Sequence, residues 1–391
     1  MNAASAHTTV PMPTLAALET PVALLDQRRL ERNLRHMQSA IDTLGVFFRP
    51  HVKTAKCVPV AARQRELGAR GITVSTLKEA EEFFAAGFDD ILYAVGMVPN
   101  KLPHALSLRQ RGCALKIIVD SLAGAQAIVQ AGRAAAHAFE VLIEVDVDGQ
   151  RAGVPPHAAL LIEIGRCLHE GGALLAGVMT HGGGSYGARG HDALLAFAEQ
   201  ERSRCVQAAQ HLREAGLPCP IVSVGSTPSA LAAHSAAGVT EVRAGVYAFH
   251  DLVMAGLGVC RTEDIALSVL CTVIGHQSDK GWVLVDAGWM ALSRDRGTQN
   301  QPIDQGYGLV CDEQGQVLDD WIVSAANQEH GIVTRREGAT EGADEVAQRF
   351  PLGSRLRILP NHACATAAQF AQYHVLAPDG TLTRWPRFGG W

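Results

Sequence analysis

GITVSTLKEAEEFFAAGFDDILYAV, residues 71–95, reads as one strand–helix–strand unit. GITVST (71–76) is a short β-branched run. TLKEAEEFFAAG has a helical pattern that starts at Thr76 and stops at Gly87, and DILYAV (90–95) is the next strand. The unit recurs in both directions. FFRPHVK (47–53) precedes it. LKIIVDS (115–121), FEVLIEVD (139–146), LLAGVMTHGG (174–183), PIVSVGST (220–227) and EVRAGVYAF (241–249) follow, with helical patterns such as SLAGAQAIVQAG (121–132) and the long amphipathic 191–216 between them. Eight strands alternating with helices predict an α/β fold, a (β/α)8 barrel. An open doubly wound sheet usually carries a glycine-rich loop after its first strand. Here the first strand runs into HVKTAK, which has no glycine. The glycine-rich turns come late, at Gly225 and Gly245, after the seventh and eighth strands, where barrels often bind phosphate.

Beyond about residue 255 the pattern changes to short strands and turns, as in ALSVLCTVIGHQ and SRLRILPNHACA, and this predicts a second, all-β domain. The expected division is an N-terminal segment (1–21) open to joining the β domain, a barrel over 22–255 and a β domain over 256–391.

Composition limits the partners. The 391 residues carry 34 basic and 39 acidic side chains, a net charge of −5, so the basic footprint of a nucleic-acid binder is missing. No run of about 18 apolar residues is present, so no membrane span is expected. The N-terminus lacks the charged and apolar regions of a signal peptide. Nine cysteines, odd in number and without CxxC spacing, read as reduced thiols of a cytoplasmic protein.

Several residues could carry chemistry. Lys53 lies at the C-terminal end of the first barrel strand, where catalytic groups of this fold sit. A lysine there could form a Schiff base, and it could equally be a surface side chain. Gly225, Ser226 and Thr227, with Gly245, Val246 and Tyr247, end strands seven and eight; close backbone approach and hydroxyl donors there suit a phosphate. Arg151, after the fifth strand, could donate to an anionic or phenolic oxygen. His181-Gly-Gly-Gly-Ser-Tyr186 ends the sixth strand, and Tyr186 could contact a planar cofactor. His362 and Cys364 lie in LPNHACAT. In an extended segment i and i+2 share a face, and imidazole with thiolate suits a borderline-soft ion held with open positions. Asp286, Glu329, His330, Arg294 and Arg296 are further candidates; the two arginines could bind an acidic substrate, although a solvated loop accounts for them equally.

Taken in order, TPVALLD, RPHVKTAK, STLKEAE, EVDVDGQRAG, SVGSTPS, RAGVYAF, VDAGWMALSRDRG, QEHG and PNHACAT resemble the metal-activated D-serine dehydratases of the alanine-racemase-like class of pyridoxal phosphate (PLP) enzymes, and among them those acting on D-threo-3-hydroxyaspartate. The resemblance runs from about residue 18 to Trp391. It implies a fold type III barrel with a C-terminal β domain, usually a homodimer. It implies that Lys53 holds PLP, that the Gly225–Thr227 and Gly245–Tyr247 loops hold its phosphate, that Arg151 approaches its phenolic oxygen and Tyr186 its ring. His362 and Cys364 match the dehydratases' metal ligands, for zinc, manganese or cobalt. The implied activity is release of ammonia from a D-3-hydroxy amino acid: D-threo-3-hydroxyaspartate to oxaloacetate, D-serine to pyruvate, or both. Related D-threonine and 3-hydroxyaspartate aldolases carry a His-x-Asp pattern and a more glycine-rich seventh loop, from which SVGSTPS and HAC depart. An aldolase and a non-catalytic PLP carrier are the alternatives.

Overall fold

The computed structural model describes residues 14–336 and 343–391. Its strands are β1 (Val22–Asp26), then β2 (Phe47–Phe48), β3 (Ile72–Val74), β4 (Asp90–Gly96), β5 (Ala114–Val119), β6 (Glu140–Glu144), β7 (Leu174–Met179), β8 (Ile221–Val224) and β9 (Glu241–Val242). They continue with β10 (Leu267–Gln277), β11 (Trp282–Val285), β12 (Leu309–Cys311), β13 (Val317–Ala326), β14 (Gly331–Arg335), β15 (Arg355–Leu359), β16 (Gln372–Leu376) and β17 (Leu382–Pro386). The chain divides into two compact units. One is Leu34–Tyr247 with Gly390–Trp391. The other combines the residues up to Asn33 with Ala248–Gly389.

In the first unit β2 to β9 form a parallel sheet in the order β2-β9-β8-β7-β6-β5-β4-β3. Its edges meet through a parallel bridge between His51 and Thr73. There Val52 N–H donates to Thr73 O at 2.9 Å and Thr73 N–H to Pro50 O at 2.8 Å. The sheet is thus a closed barrel. Ile117, Ile118, Val141, Leu142 and Ile143 are fully buried, as expected where helices cover one face and barrel interior the other. The connecting helices start where the sequence signals them. Thr76 Oγ1 accepts from Glu79 N–H at 3.0 Å, and Ser121 Oγ accepts from Gly124 N–H at 3.2 Å. At the N-terminal end of the strands Arg49 bonds Glu241 at 2.9 Å and Asp90 at 3.0 Å, tying β9 and β4 to the segment after β2.

The second unit is built on antiparallel strands. β10 pairs with both β11 and β15, so the series β11-β14-β13-β12-β15-β10 closes into a six-stranded ring. Its core holds Trp321, which packs edge-on against Phe350 at 4.6 Å, with Val269, Val285, Val310, Val323 and Ile358. β1 pairs antiparallel with β10 and parallel with β16, and β17 closes the outer edge.

Val22–Asp26, counted with the barrel from the sequence, therefore belongs to the C-terminal sheet. The run VALLD is apolar enough for either sheet. Leu24, fully buried with Leu18, Leu270 and Leu382, finds its partners there. Among the described residues no helix is long and apolar enough to cross a membrane.

Candidate active site

The C-terminal mouth of the barrel gathers most of the residues singled out from sequence. After β2 the chain passes Pro50, which has no N–H to donate, and still runs beside β9. His51 N–H donates to Ala244 O at 2.8 Å, which pins this segment beside the end of β9. The backbone N–H of Lys53 lies 3.5 Å from His51 Nδ1, and the lysine side chain is exposed.

Two loops approach from the other side. Gly225 has φ +123°, and a Cβ there would stand 2.3 Å from Arg243 O, so only glycine fits. Ser226 then caps the short helix Thr227–Ala232, exchanging hydrogen bonds with Ser229. At Gly245 a Cβ would stand 2.9 Å from His51 O. Thr227 Oγ1 accepts from Tyr247 N–H at 3.1 Å, joining the loops after β8 and β9. The Tyr247 phenol points away. It accepts from Gln64 Nε2 at 2.7 Å and packs against Phe48, so Tyr247, like buried Val246, can offer a ligand only backbone.

The loop after β7 is anchored from behind. Gly182 N–H donates to the buried Glu201 at 2.9 Å, and Ser185 Oγ lies 3.1 Å from Ser226 Oγ. Gly184 N–H reaches Asp148 at 2.7 Å, which links this loop to the one carrying Arg151. Tyr186 is 38% exposed, its ring 6.4 Å from that of His181. Arg151 is more than half exposed and touches Glu144 at 3.4 Å.

The charge at this mouth is positive. Burial, Lys53, Arg243 and the neighbouring His181 hold His51 well below its ordinary range. Burial, Lys53, Arg151 and Arg243 bring His181 down to about 3. Three cations thus act on two neutral imidazoles in a site that suits an anion. Arg243, buried and donating to Ser223 Oγ and Thr180 O, escaped the sequence reading, although it stands two residues before Gly245 at the end of β9.

His362 and Cys364 lie in the second unit. The extended segment expected there is instead a helix start. His362 is the extended N-cap of the helix Ala363–Ala367, and Cys364 occupies its first turn. The pair still meets, because the Cys364 thiol hydrogen-bonds the imidazole. Asp251, buried, accepts from Ala363 N–H at 2.9 Å and fixes this turn. His362 Nδ1 lies 2.6 Å from Asp295 Oδ2. Burial opposes charge on this ring, but Asp295, Cys364 and Asp251 outweigh it and push the metal-free ring above its ordinary range. Among the described residues no group of three or more His, Cys, Asp or Glu side chains is arranged to cage a metal. A borderline-soft ion fits the two side chains that meet, with its other positions open.

The remaining candidates also lie in this unit. Asp286 accepts from Thr20 Oγ1 and Thr272 N–H. Glu329 and His330 are exposed in the turn between β13 and β14. Arg296 pairs with Asp304 at 2.6 Å, and Arg294 lies over the Trp289 ring at 4.4 Å.

Comparison with known proteins points to one family. Residues 25–252 match the family model "Alanine racemase, N-terminal domain", and residues 266–376 match "Putative serine dehydratase domain". The chain is 62% identical to D-threo-3-hydroxyaspartate dehydratase of Delftia sp. (strain HT23), covering 97% of this chain and 99% of that one. It is 30% identical to D-serine dehydratase of Dictyostelium discoideum (93% and 95% covered) and 31% identical to D-threonine aldolase of Arthrobacter sp (91% and 88%). The solved structure of the Delftia enzyme superposes with a TM-score of 0.96, at 62% identity, over 97% of this chain and all of that one. Further structures of D-threo-3-hydroxyaspartate dehydratase include a His→Ala variant and, two positions on, a Cys→Ala variant in the metal-free form.

Proposed function

The chain belongs to the alanine-racemase-like family of PLP enzymes, in its D-serine dehydratase branch, and from that membership we propose that it is a metal-dependent dehydratase of D-3-hydroxy amino acids. Its preferred substrate in this reading is D-threo-3-hydroxyaspartate, converted to oxaloacetate and ammonia, with D-serine giving pyruvate and ammonia. The observation that carries the proposal is the joint presence of a cationic barrel mouth around Lys53 and a His362–Cys364 pair in a chain 62% identical to such a dehydratase.

Lys53 holds the cofactor through Nζ. The Gly225–Thr227 and Gly245–Tyr247 loops take its phosphate through backbone and hydroxyl groups. Arg151 faces its phenolic oxygen and Tyr186 its ring. PLP supplies an electron sink at the substrate Cα. Lys53 Nζ would take the α-proton from its own face of the substrate only, and one-sided access would select one enantiomer. His51 and His181, kept neutral, leave the anion's charge to Lys53, Arg151 and Arg243. His362 and Cys364 hold a divalent ion of the zinc, manganese or cobalt type, which supplies Lewis-acid help to a departing hydroxide. The His and Cys variants of the relative, spaced as His362 and Cys364 are, support these two as ligands. None of the nine cysteines is in a disulfide, which supports a reducing, cytoplasmic setting.

The test is 2-oxo acid release from D-threo-3-hydroxyaspartate and D-serine in parallel, before and after chelation. Oxaloacetate or pyruvate should appear, disappear with the metal and return on adding it. Lys53→Ala should lose the cofactor's visible absorbance together with turnover. Glyoxylate and glycine in place of a 2-oxo acid would move the chain to the aldolases. Absence of any turnover would make it a PLP carrier.

A further inference from the structure

We propose that Asp295 is the positioning residue of the metal site: it fixes the His362 ring so that Nε2, and not Nδ1, faces the ion. The inference rests on the reading of His362 and Cys364 as ligands. A carboxylate only accepts hydrogen bonds, so the 2.6 Å contact to Asp295 Oδ2 places a hydrogen on His362 Nδ1 and leaves Nε2 as the ligating nitrogen. Partners of this kind orient metal-bound histidines and strengthen them as donors.

The local backbone is arranged for the contact. The helix Trp289–Leu292 ends at Ser293, which is buried and adopts φ +74°, ψ 161°, a conformation that glycine enters freely and serine does not. That turn redirects the chain. Ser293 Oγ accepts from Asp295 N–H at 2.9 Å, and Gly297 N–H donates to the Asp295 carboxylate. The ligand segment is tied to the same helix, because Thr366 Oγ1 donates to Leu292 O at 2.9 Å. Asn361, next to His362, bonds Thr298 and Gly306 on the far side of the same loop. Carboxylate and imidazole are therefore held by one short frame, and the strained Ser293 is at its corner.

The experiment titrates Zn(II) and Co(II) into the metal-stripped, PLP-loaded full chain, with affinity read by competition against a chelator. Asp295→Asn should weaken binding by about 10–100-fold. The PLP absorbance and the thiolate-to-cobalt absorption band should persist, since Lys53 and Cys364 are untouched. Asp295→Glu, which keeps a carboxylate, should recover part of the loss. Wild-type affinity in Asp295→Asn overturns the proposal. If that variant does not fold, Asp295→Ala carries the test, and wild-type affinity there is equally fatal. His362→Ala in the same titration separates the two readings. Metal lost in His362→Ala but kept in Asp295→Asn refutes the positioning role alone. Metal kept in His362→Ala refutes the ligand assignment beneath it.

Discussion

Among single residues, His181 carries the plainest pH signature. Its pKa in the folded chain is about 3, against an ordinary 6.5, because of burial and the nearby cations. Above pH 6.5 the imidazole is neutral in both folded and unfolded chains and contributes nothing. Below it the unfolded chain takes a proton that the folded chain refuses, so stability falls as pH falls, by about 1.4 kcal/mol per unit. Cofactor-free protein should therefore lose about 2 kcal/mol from this group between pH 7 and pH 5. Urea unfolding of His181→Asn should show a correspondingly shallower slope, and identical slopes would mean that the folded ring is charged. Lys53, Gly225 and Gly245 were legible as candidates in the sequence because they stand at strand ends, where a barrel mouth forms. They did not reveal Asp295. It stands between Arg294 and Arg296 in a polar loop, and the turn that directs it to His362 is made by a serine, which gives no hint of a positive φ.

At the level of elements, the barrel strands were legible because burial on both faces leaves continuous apolar runs, and their helices because Thr76 and Ser121 cap them. Ends were less so. The run 47–53 mixes Phe47, Phe48 and Val52 with Arg49, Pro50, His51 and Lys53, and the regular strand ends at Phe48, although the N–H groups of Arg49 and His51 still donate to Val242 O and Ala244 O. The HAC motif looks extended in sequence and is a helix start, because a five-residue helix leaves no periodicity to detect. β1 was misassigned for a different reason: which sheet a strand joins is decided by distant partners, and VALLD names none of them. Its importance can be measured. Leu24 is fully buried between β10 and β16. Leu24→Ala should cost about 2–5 kcal/mol in chemical denaturation. A cost below about 1 kcal/mol would place β1 outside the sheet.

For the whole molecule, the sequence supported two architectures joined in one chain, and the contacts divide it accordingly. The homodimer implied by the resemblance is a matter for solution measurement. Light scattering should return twice the chain mass of 41.6 kDa, and a single mass would refute it. The path of the chain also orders its own synthesis. β1 leaves the ribosome before any barrel strand, yet β10 and β16, which it hydrogen-bonds, emerge only after the last of them. A nascent chain can close its barrel while β1 waits as an unpaired apolar edge, the kind of surface that chaperones cover and aggregates recruit. Translation that stalls between β9 and β10 should strand a finished barrel with a sticky leading end, so for this chain the hazardous interval comes after the barrel is complete.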